Sequence, residues 1–542
     1  MPVRRNLTFA KNAAQRRGGS VFIPAPVGGL NTVDAHGTMD QKYAVSMSNY
    51  FPMENGLMVR GGSTPYTIGQ IGDVDTLMAY MDGTTEQLFA CAGTSIYSIV
   101  ESTVTAPVEV VGGLVSPQFQ WVNISNNGGT FLWCCNGTDA PYYFDGTDWT
   151  QAALTDADTN PVTWHPHNVC VYQNRLFLCV PGSLTIYYLD LDAVQGVAHP
   201  IPLGAYLERG GEVIMVGNVT VDGGYGPDDY FIAVTSEGEA VSFKGRDPSS
   251  ADTWAMVGRF QFAKPMSKRS MVKYGGDLII LTEQGVAGVA SMLSNELAGL
   301  SKAATEKIQP TWAALTRKYA DYFGWQACIY HRRGLLLINF PTGIGFQQFV
   351  YNPKTSAWGV IEGWDTVRCL LETGGDILAG LSDVVQRLDT TAWFDTVATP
   401  NGDYSEWTFT DTNIIALVQQ AFVFAGGKGS KKRYTLMRPY VASTANPQLS
   451  IGLSVDNNPR GVTTQIVLSG SMSMPNLAEW GASEWYAAEW GGSDGGVFKT
   501  RSRWANVAAI GYSVSAAVQL VPASSEVLYA GSDVQFQMSN TI

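Results

Sequence analysis

The residues best suited to chemistry come in small groups, and each group falls short of a site. Trp164-His165-Pro166-His167 is the stretch where two histidines approach each other. A tetrahedral zinc site needs further ligands at a plausible spacing, and this pair lacks them. Cys134 and Cys135 are adjacent in an apolar run. In a strand their side chains point to opposite faces, so they neither chelate one ion nor readily bridge each other. Gly426-Gly427-Lys428-Gly429-Ser430 has the flavour of a phosphate loop, but not its G-x-x-x-x-G-K-[ST] spacing or a following helix. It reads instead as the tip of a β-hairpin. Asp156-Ala157-Asp158 and Asp190-Leu191-Asp192 lack the ligand set of a calcium loop and read as turn residues. A propeller glycosidase would set paired carboxylates around its axis, and no repeated S-x-D-x-G-x-T-W box of the sialidase kind is present. The expectation is a chain with no catalytic, cofactor-binding or metal-binding residues.

Binding chemistry is better represented. Arg4, Arg5, Lys11, Arg16 and Arg17 lie in the first 17 residues, and no acidic side chain precedes residue 34. Residues 1–33 therefore read as a basic arm that orders on a partner. A neighbouring subunit, an adaptor protein and DNA are its candidate targets, in that order. Lys428, Lys431, Lys432 and Arg433 make a second cationic group, suited to DNA or an acidic partner. Trp480, Trp485 and Trp490 recur every five residues in AEWGASEWYAAEWGG, a period that matches neither a strand nor a helix face. The stretch 476–497 is read as an exposed loop whose aromatics dock at an interface.

These groups must be positioned by a framework, and the sequence describes one. Between residues 70 and 395 a short pattern returns seven times, in segments 86–99, 130–145, 174–191, 229–243, 276–290, 334–351 and 375–389. Each is an apolar strand, a turn rich in Gly, Asn or Asp, and a second apolar or aromatic strand, which is a β-hairpin. Leu88, Leu132, Leu176, Ile232, Ile279, Leu336 and Leu378 are equivalent, at spacings of 44, 44, 56, 47, 57 and 42 residues. That is the length of a four-stranded propeller blade, so the fold class is all-β, a β-propeller of six to eight blades with seven as the best count. Several hairpins lead to a tryptophan after a turn (Trp149, Trp254, Trp358), placed to close over a blade edge with its ring half buried. Residues 292–322 favour a helix, a break at Pro310 and a second short helix, a helical insertion between blades. The rhythm stops near residue 395, and residues 400–542 are read as a separate β-sandwich-like domain.

Composition agrees. Charged residues make up 15% of the 542, against about 25% in ordinary proteins, while there are 58 Gly, 15 Trp and 24 Tyr. With so few charges to cover a surface, part of the exterior is expected to be buried against other chains, in a homo-oligomer. The formal net charge of −13 argues against a bulk surface that grips nucleic acid, while allowing one that DNA slides past. Seven cysteines, an odd number and mostly in apolar runs, read as buried thiols of a chain made in a reducing compartment. Residues 21–33 are broken by Pro24, Pro26, Gly28 and Gly29, leaving no apolar core for a signal peptide, and no run reaches the eighteen apolar residues of a membrane span. The expectation is a soluble chain of cytoplasmic origin with no stable membrane insertion.

Residues 34–69 read as a lead-in, in which GLMVRGG (56–62) supplies a strand able to complete the last blade. The wider segment 27–66 carries Gly28-Gly29-Leu30-Asn31, then Asn49-Tyr50-Phe51-Pro52, then Gly56, Leu57, Val59, Arg60, Gly61 and Gly62. In these motifs, and in the hairpin Tyr143 to Trp149, the chain resembles the tail-hub (nozzle) proteins of short-tailed bacteriophages, often called packaged-DNA stabilisation proteins. The resemblance covers the opening and loosely the propeller, and beyond that only the β-richness of the last 150 residues. It implies a structural virion protein, assembled in the host cytoplasm and located in the tail. Such a protein forms a ring, usually of six, below the portal and head-to-tail adaptor, as the last tube through which double-stranded DNA leaves. Tail fibres or spikes attach around it, and a plug or needle closes it. The alternatives are a non-enzymatic virion or surface propeller binding host glycans or fibres, and a propeller glycosidase.

Overall fold

Each of the seven repeats folds into the hairpin its pattern predicts. The computed structural model describes residues 18–222, 227–250, 252–289, 304–389, 391–467 and 499–538, and in it each hairpin supplies the second and third strands of one antiparallel blade. Blade 2 runs Gln120–Asn126, Gly129–Cys135, Tyr142–Phe144 and Trp149–Gln151 in spatial order. Its last turn is set by Asp145, whose Oδ1 accepts from the backbone N–H groups of Thr147 and Asp148, both at 2.8 Å, an Asx turn. Blade 3 (Asn168–Tyr172, Arg175–Cys179, Thr185–Tyr188, His199–Pro202), blade 4 (Val213–Asp222, Pro227–Thr235, Glu239–Gly245, Trp254–Gln261) and blade 6 (Gln326–Tyr330, Leu335–Pro341, Phe346–Asn352, Ala357–Ile361) repeat the plan.

The ring is closed by a single long strand, Gly62–Met81. Its first half is the outer strand of blade 7, against Ser382–Asp389, which follows Cys369–Thr373 and Asp376–Gly380. Its second half is the inner strand of blade 1, against Glu86–Ala92, followed by Ser95–Ile99 and Val108–Val111. The closing strand thus starts at Gly62, whereas Gly56–Val59, expected to share that role, pairs with Tyr50–Met53 and with Leu528 and Tyr529. A β-carbon at Gly62 would collide with the carbonyl oxygen of Phe394, so glycine marks where the chain enters the blade.

Blade 5 has three strands, Met271–Tyr274, Asp277–Thr282 and Gly285–Gly288, and is followed by the helix Gln309–Tyr319. Pro310 lies in the first turn of that helix, where it lacks no hydrogen bond it could have made. Trp312 of the helix is buried, donates Nε1–H to Thr282 O at 2.9 Å and packs edge-on to Trp325 and tilted against Trp358. Of the first helix expected ahead of Pro310, residues 292–303 lie outside the described residues, and Glu306–Ile308 is a single 3-10 turn. Trp358 is completely buried rather than half buried, while Trp149 and Trp254 sit at partly exposed blade edges.

Neighbouring blades share apolar cores, one between each successive pair. Inner strands splay apart, so side-chain amides bridge what the backbone cannot. Asn123 donates to Ala79 O (2.9 Å), Asn168 accepts from Val216 N (3.1 Å), and Gln326 both donates to and accepts from the Leu370 backbone (2.7 and 2.9 Å). Cys134 faces the core between blades 1 and 2 and Cys135 the core between blades 2 and 3, as their adjacency requires. All seven cysteines are free and buried, and burial pushes the thiols of Cys135, Cys328 and Cys369 up to about 12. At pH 8 a disulfide reagent should therefore react roughly 1,000-fold more slowly with native protein than with exposed thiols, and should titrate all seven after unfolding. One fast thiol in the native state would show that a blade interface opens.

Phe394–Pro400 and Trp407–Asn413 form a two-stranded ribbon beside Gly62–Met81, so the β-sandwich, expected from residue 400, is built by the described residues from Ala416 on, and the N-terminal region is built into it. Gly18–Pro24 pairs along its whole length with Val527–Met538, and Ala44–Ser48 pairs with Ala416–Gln420. Ile23, Met47, Tyr50, Leu57 and Val59 share one core with Val418, Tyr434, Val441, Ile451, Val518, Tyr529 and Val534. Residues 18–33, read from composition as the end of the arm, are thus strand and turn. Ser48 also pairs with Val360 of blade 6, so one sheet of nine strands runs from that blade into the sandwich.

Candidate functional site

Two places gather polar residues inside this framework. The first is at the propeller axis, where the inner strands begin. A cavity of about 280 Å³ is lined there by Gln120, Trp121, Lys273, Gln326, His331 and Glu372 among others. Arg269 lies at its wall, buried, donating Nη1–H to Asp75 O (2.5 Å) and Nη2–H to Phe119 O (3.3 Å) and to the Thr76 hydroxyl. It thereby ties blade 5 to blades 1 and 2, and burial pulls its pKa down. Arg368 grips Asp75 (2.7 Å) and Asp73 (3.0 Å), and both guanidinium groups lie over the Phe323 ring at 5.3 and 5.8 Å. Lys268 donates to Asn136 O at 3.1 Å, and burial, helped by Arg269, lowers its pKa to about 8. These cations are spent on the protein's own carbonyls and carboxylates. At the rim His331 Nδ1 meets Glu372 at 3.1 Å, and among the described residues Glu372 is the one carboxylate in the cavity lining.

The second place is the junction of propeller and sandwich. Gly29 has φ +76°, and its absent side chain leaves room for Trp358, whose N and O atoms would lie 2.5 Å from a β-carbon. Leu30 N–H then donates to Trp358 O (2.8 Å), and Ala44 N–H donates to Gly29 O (2.8 Å). Asn31 completes the turn, its Oδ1 accepting from Val33 and Asp34 N–H at 3.0 Å. Asn49, at φ 59°, donates to Ile415 O (2.9 Å) and accepts from Glu362 N–H (2.9 Å) and Arg60 Nε (2.9 Å). Arg60 is 1% exposed. It makes a two-pronged pair with Asp395 (2.9 and 2.5 Å), donates to Gly61 O and Glu362 O, and lies over Trp364.

The residues singled out from the sequence are distributed differently. Arg4, Arg5, Lys11, Arg16, Arg17 and Trp480, Trp485 and Trp490 lie outside the described residues. Lys428, Lys431 and Arg433 are exposed. Lys432 is buried and donates to Gly427 O and to Tyr512 O (3.1 Å), so it holds the loop's shape and is not offered to a partner. That loop is no hairpin tip, because Ala416–Gln420 and Lys432–Ser443, which it joins, belong to different sheets. Asp156 sits in a turn as expected, accepting from Asp158 and Asn160 N–H. His167 is buried against Ile214 O (3.1 Å), and burial lowers its pKa. Among the described residues no cluster of His, Cys, Asp or Glu could hold a metal.

Sequence reasoning missed Arg60, Arg269 and Arg368 as organising residues. Arg60 had a signal, a lone cation directly after the apolar Leu57-Met58-Val59 run, since buried charges occur where they are paired. Arg269 had none.

No protein-family model matches the chain, and no curated protein matches it. Among solved structures it is similar to BBS1N in complex with ARL6DN, soaked with lead (12% identity, 64% of this chain and 98% of that one, TM-score 0.35). It is similar also to Raptor of Chaetomium thermophilum (9% identity, 63% of this chain and 29% of that one, TM-score 0.36).

Proposed function

We propose that this chain is a non-enzymatic β-propeller that works by holding macromolecules together, and that its setting is the hub of a short phage tail. The coarser half is supported by the axial site, where Arg269 and Arg368 bind the protein's own carbonyls and carboxylates and where, among the described residues, Glu372 lines the cavity without the second acid that glycoside hydrolysis uses. The observation that carries the finer half is the junction. Gly28 to Asn31, Asn49 to Pro52 and Arg60, the residues behind the tail-hub resemblance, occupy the positions that weld sandwich to propeller. In a ring of such subunits each copy would be a stiff wedge able to bear the load of packaged DNA.

The axial cavity is far too small for a duplex, so DNA would pass through the centre of the ring, between copies. An acidic wall there would repel phosphate and let it slide. The head-to-tail adaptor or portal, the fibres or spikes and the plug or needle would be the partners. A second reading, a propeller that binds host glycans or fibres, is favoured by the cavity itself, which offers the half-buried Trp121 ring as a stacking surface beside Gln120.

Native mass measurement and cryo-electron microscopy of the purified chain separate the two. The hub reading expects a closed ring, near six copies, with a central channel wide enough for duplex DNA. A monomer at all concentrations that retains host glycan, and loses it on Trp121→Ala, overturns it in favour of the second.

A further inference from the structure

We propose that the two-stranded ribbon formed by Phe394–Pro400 and Trp407–Asn413 is an assembly arm that docks on the cationic loop 426–433 of a second copy of this chain. The inference deepens the assembly reading above and rests on it. The ribbon is paired from Phe394↔Asn413 to Pro400↔Trp407. Its outer strand, Trp407–Asn413, pairs with no other strand among the described residues, and the six residues from Thr408 to Asn413 are exposed on both faces. Phe409 is 45% and Val397 46% exposed. Natural edge strands are blunted by charged side chains, Pro or a bulge; Trp407–Asn413 carries no Pro, and its one charge is Asp411. An edge so lightly guarded and bearing exposed apolar side chains is a surface suited to a partner.

Charge indicates which partner. From Leu388 to Gly427 the sequence holds no Lys or Arg, and Asp403, Glu406 and Asp411 are exposed. Asp403 and Asp411 accept from Ser405 and Thr396, and none of the three acids meets a cation among the described residues. Lys428, Lys431 and Arg433 are exposed too, and among the described residues none meets an acid; Lys428 lies over the Phe424 ring at 5.0 Å. The buried Lys432 braces their loop from within, so the three charges are presented on a fixed scaffold.

Within one copy the two surfaces are kept apart. The ribbon enters Ala416–Gln420 at its start and the loop leaves at its end, a strand of five residues or about 17 Å. The ribbon's tip is held on blade 7, where the Tyr404 hydroxyl donates to Asp383 at 3.0 Å. Two different complementary patches on one molecule make a head-to-tail contact, which generates a ring when the rotation closes.

The test uses the full chain in three forms: Asp403→Lys with Glu406→Lys and Asp411→Lys; Lys428→Glu with Lys431→Glu and Arg433→Glu; and all six together. All sites are exposed, and unchanged thermal unfolding checks the fold. Each triple is expected to raise the concentration needed for assembly at least tenfold by sedimentation and native mass, and the sixfold variant to recover assembly. If the parent chain forms rings and both triples do so equally well, or the folded sixfold variant does not recover, the ribbon contact is overturned while the hub reading stands. If the parent chain never assembles, both fall. Loss of duplex-DNA retention by the Lys428 triple with assembly untouched would assign the loop to DNA and overturn the contact.

Discussion

Replacing Arg60 by alanine is expected to lower stability by about 3–5 kcal/mol, the cost of breaking a buried ion pair by removing one partner. Asp395 would keep the Ser63 hydroxyl (2.9 Å) and lose both prongs of the guanidinium. Asn49 would lose Arg60 Nε, and Glu362 O would lose its donor. The damage is concentrated at one joint, since Arg60 touches the N-terminal hairpin, the end of blade 6 and the base of the ribbon together. Urea unfolding of Arg60→Ala should therefore split one transition into two, with sandwich and propeller unfolding separately. Arg60→Lys keeps the charge and loses the planar fork, so it should recover only part of the loss. A shift below about 1 kcal/mol, with a single transition kept, would mean that the joint is held by the continuous sheet alone.

Gly29→Ala is expected to be the other severe substitution, at about 2–4 kcal/mol. Part of that is the left-handed backbone, worth about 1 kcal/mol for a residue with a side chain. The rest is steric, because the new methyl would sit 2.5 Å from the Trp358 backbone on the outer strand of blade 6. Gly72→Ala is the natural control: its φ of +86° is as unfavourable, but no atom lies within 4 Å of its missing β-carbon. Thermal unfolding of the pair should show Gly29→Ala falling well below Gly72→Ala. Equal losses would show that the Gly29 contact yields without cost, and that the junction is looser than its hydrogen bonds imply.

Much of the propeller was legible in the sequence because the information is local. Seven runs of alternating strand and turn residues each specify a hairpin whatever surrounds them, and their spacing counts the blades. The two faces of Cys134 and Cys135 follow from strand geometry alone.

The sites were less legible because they are assembled from distant residues. Arg60 and Asp395 are 335 positions apart, and Arg269 and Asp75 194. Lys432 looks like its neighbours Lys431 and Arg433 in the sequence, yet alternation along the strand turns it inward while they face solvent.

By itself, then, the sequence determined the all-β class, the seven repeats, the buried thiols and the shortage of charge, each a property of composition or of near neighbours. The tertiary structure alone decided that Gly18–Pro24 joins Val527–Met538, that Gly62–Met81 serves two blades, and that Lys432 is buried while Lys431 and Arg433 are exposed. Strand pairing between remote segments is chosen by which edges and apolar faces remain unburied once the local hairpins exist, and no short stretch of sequence carries that information.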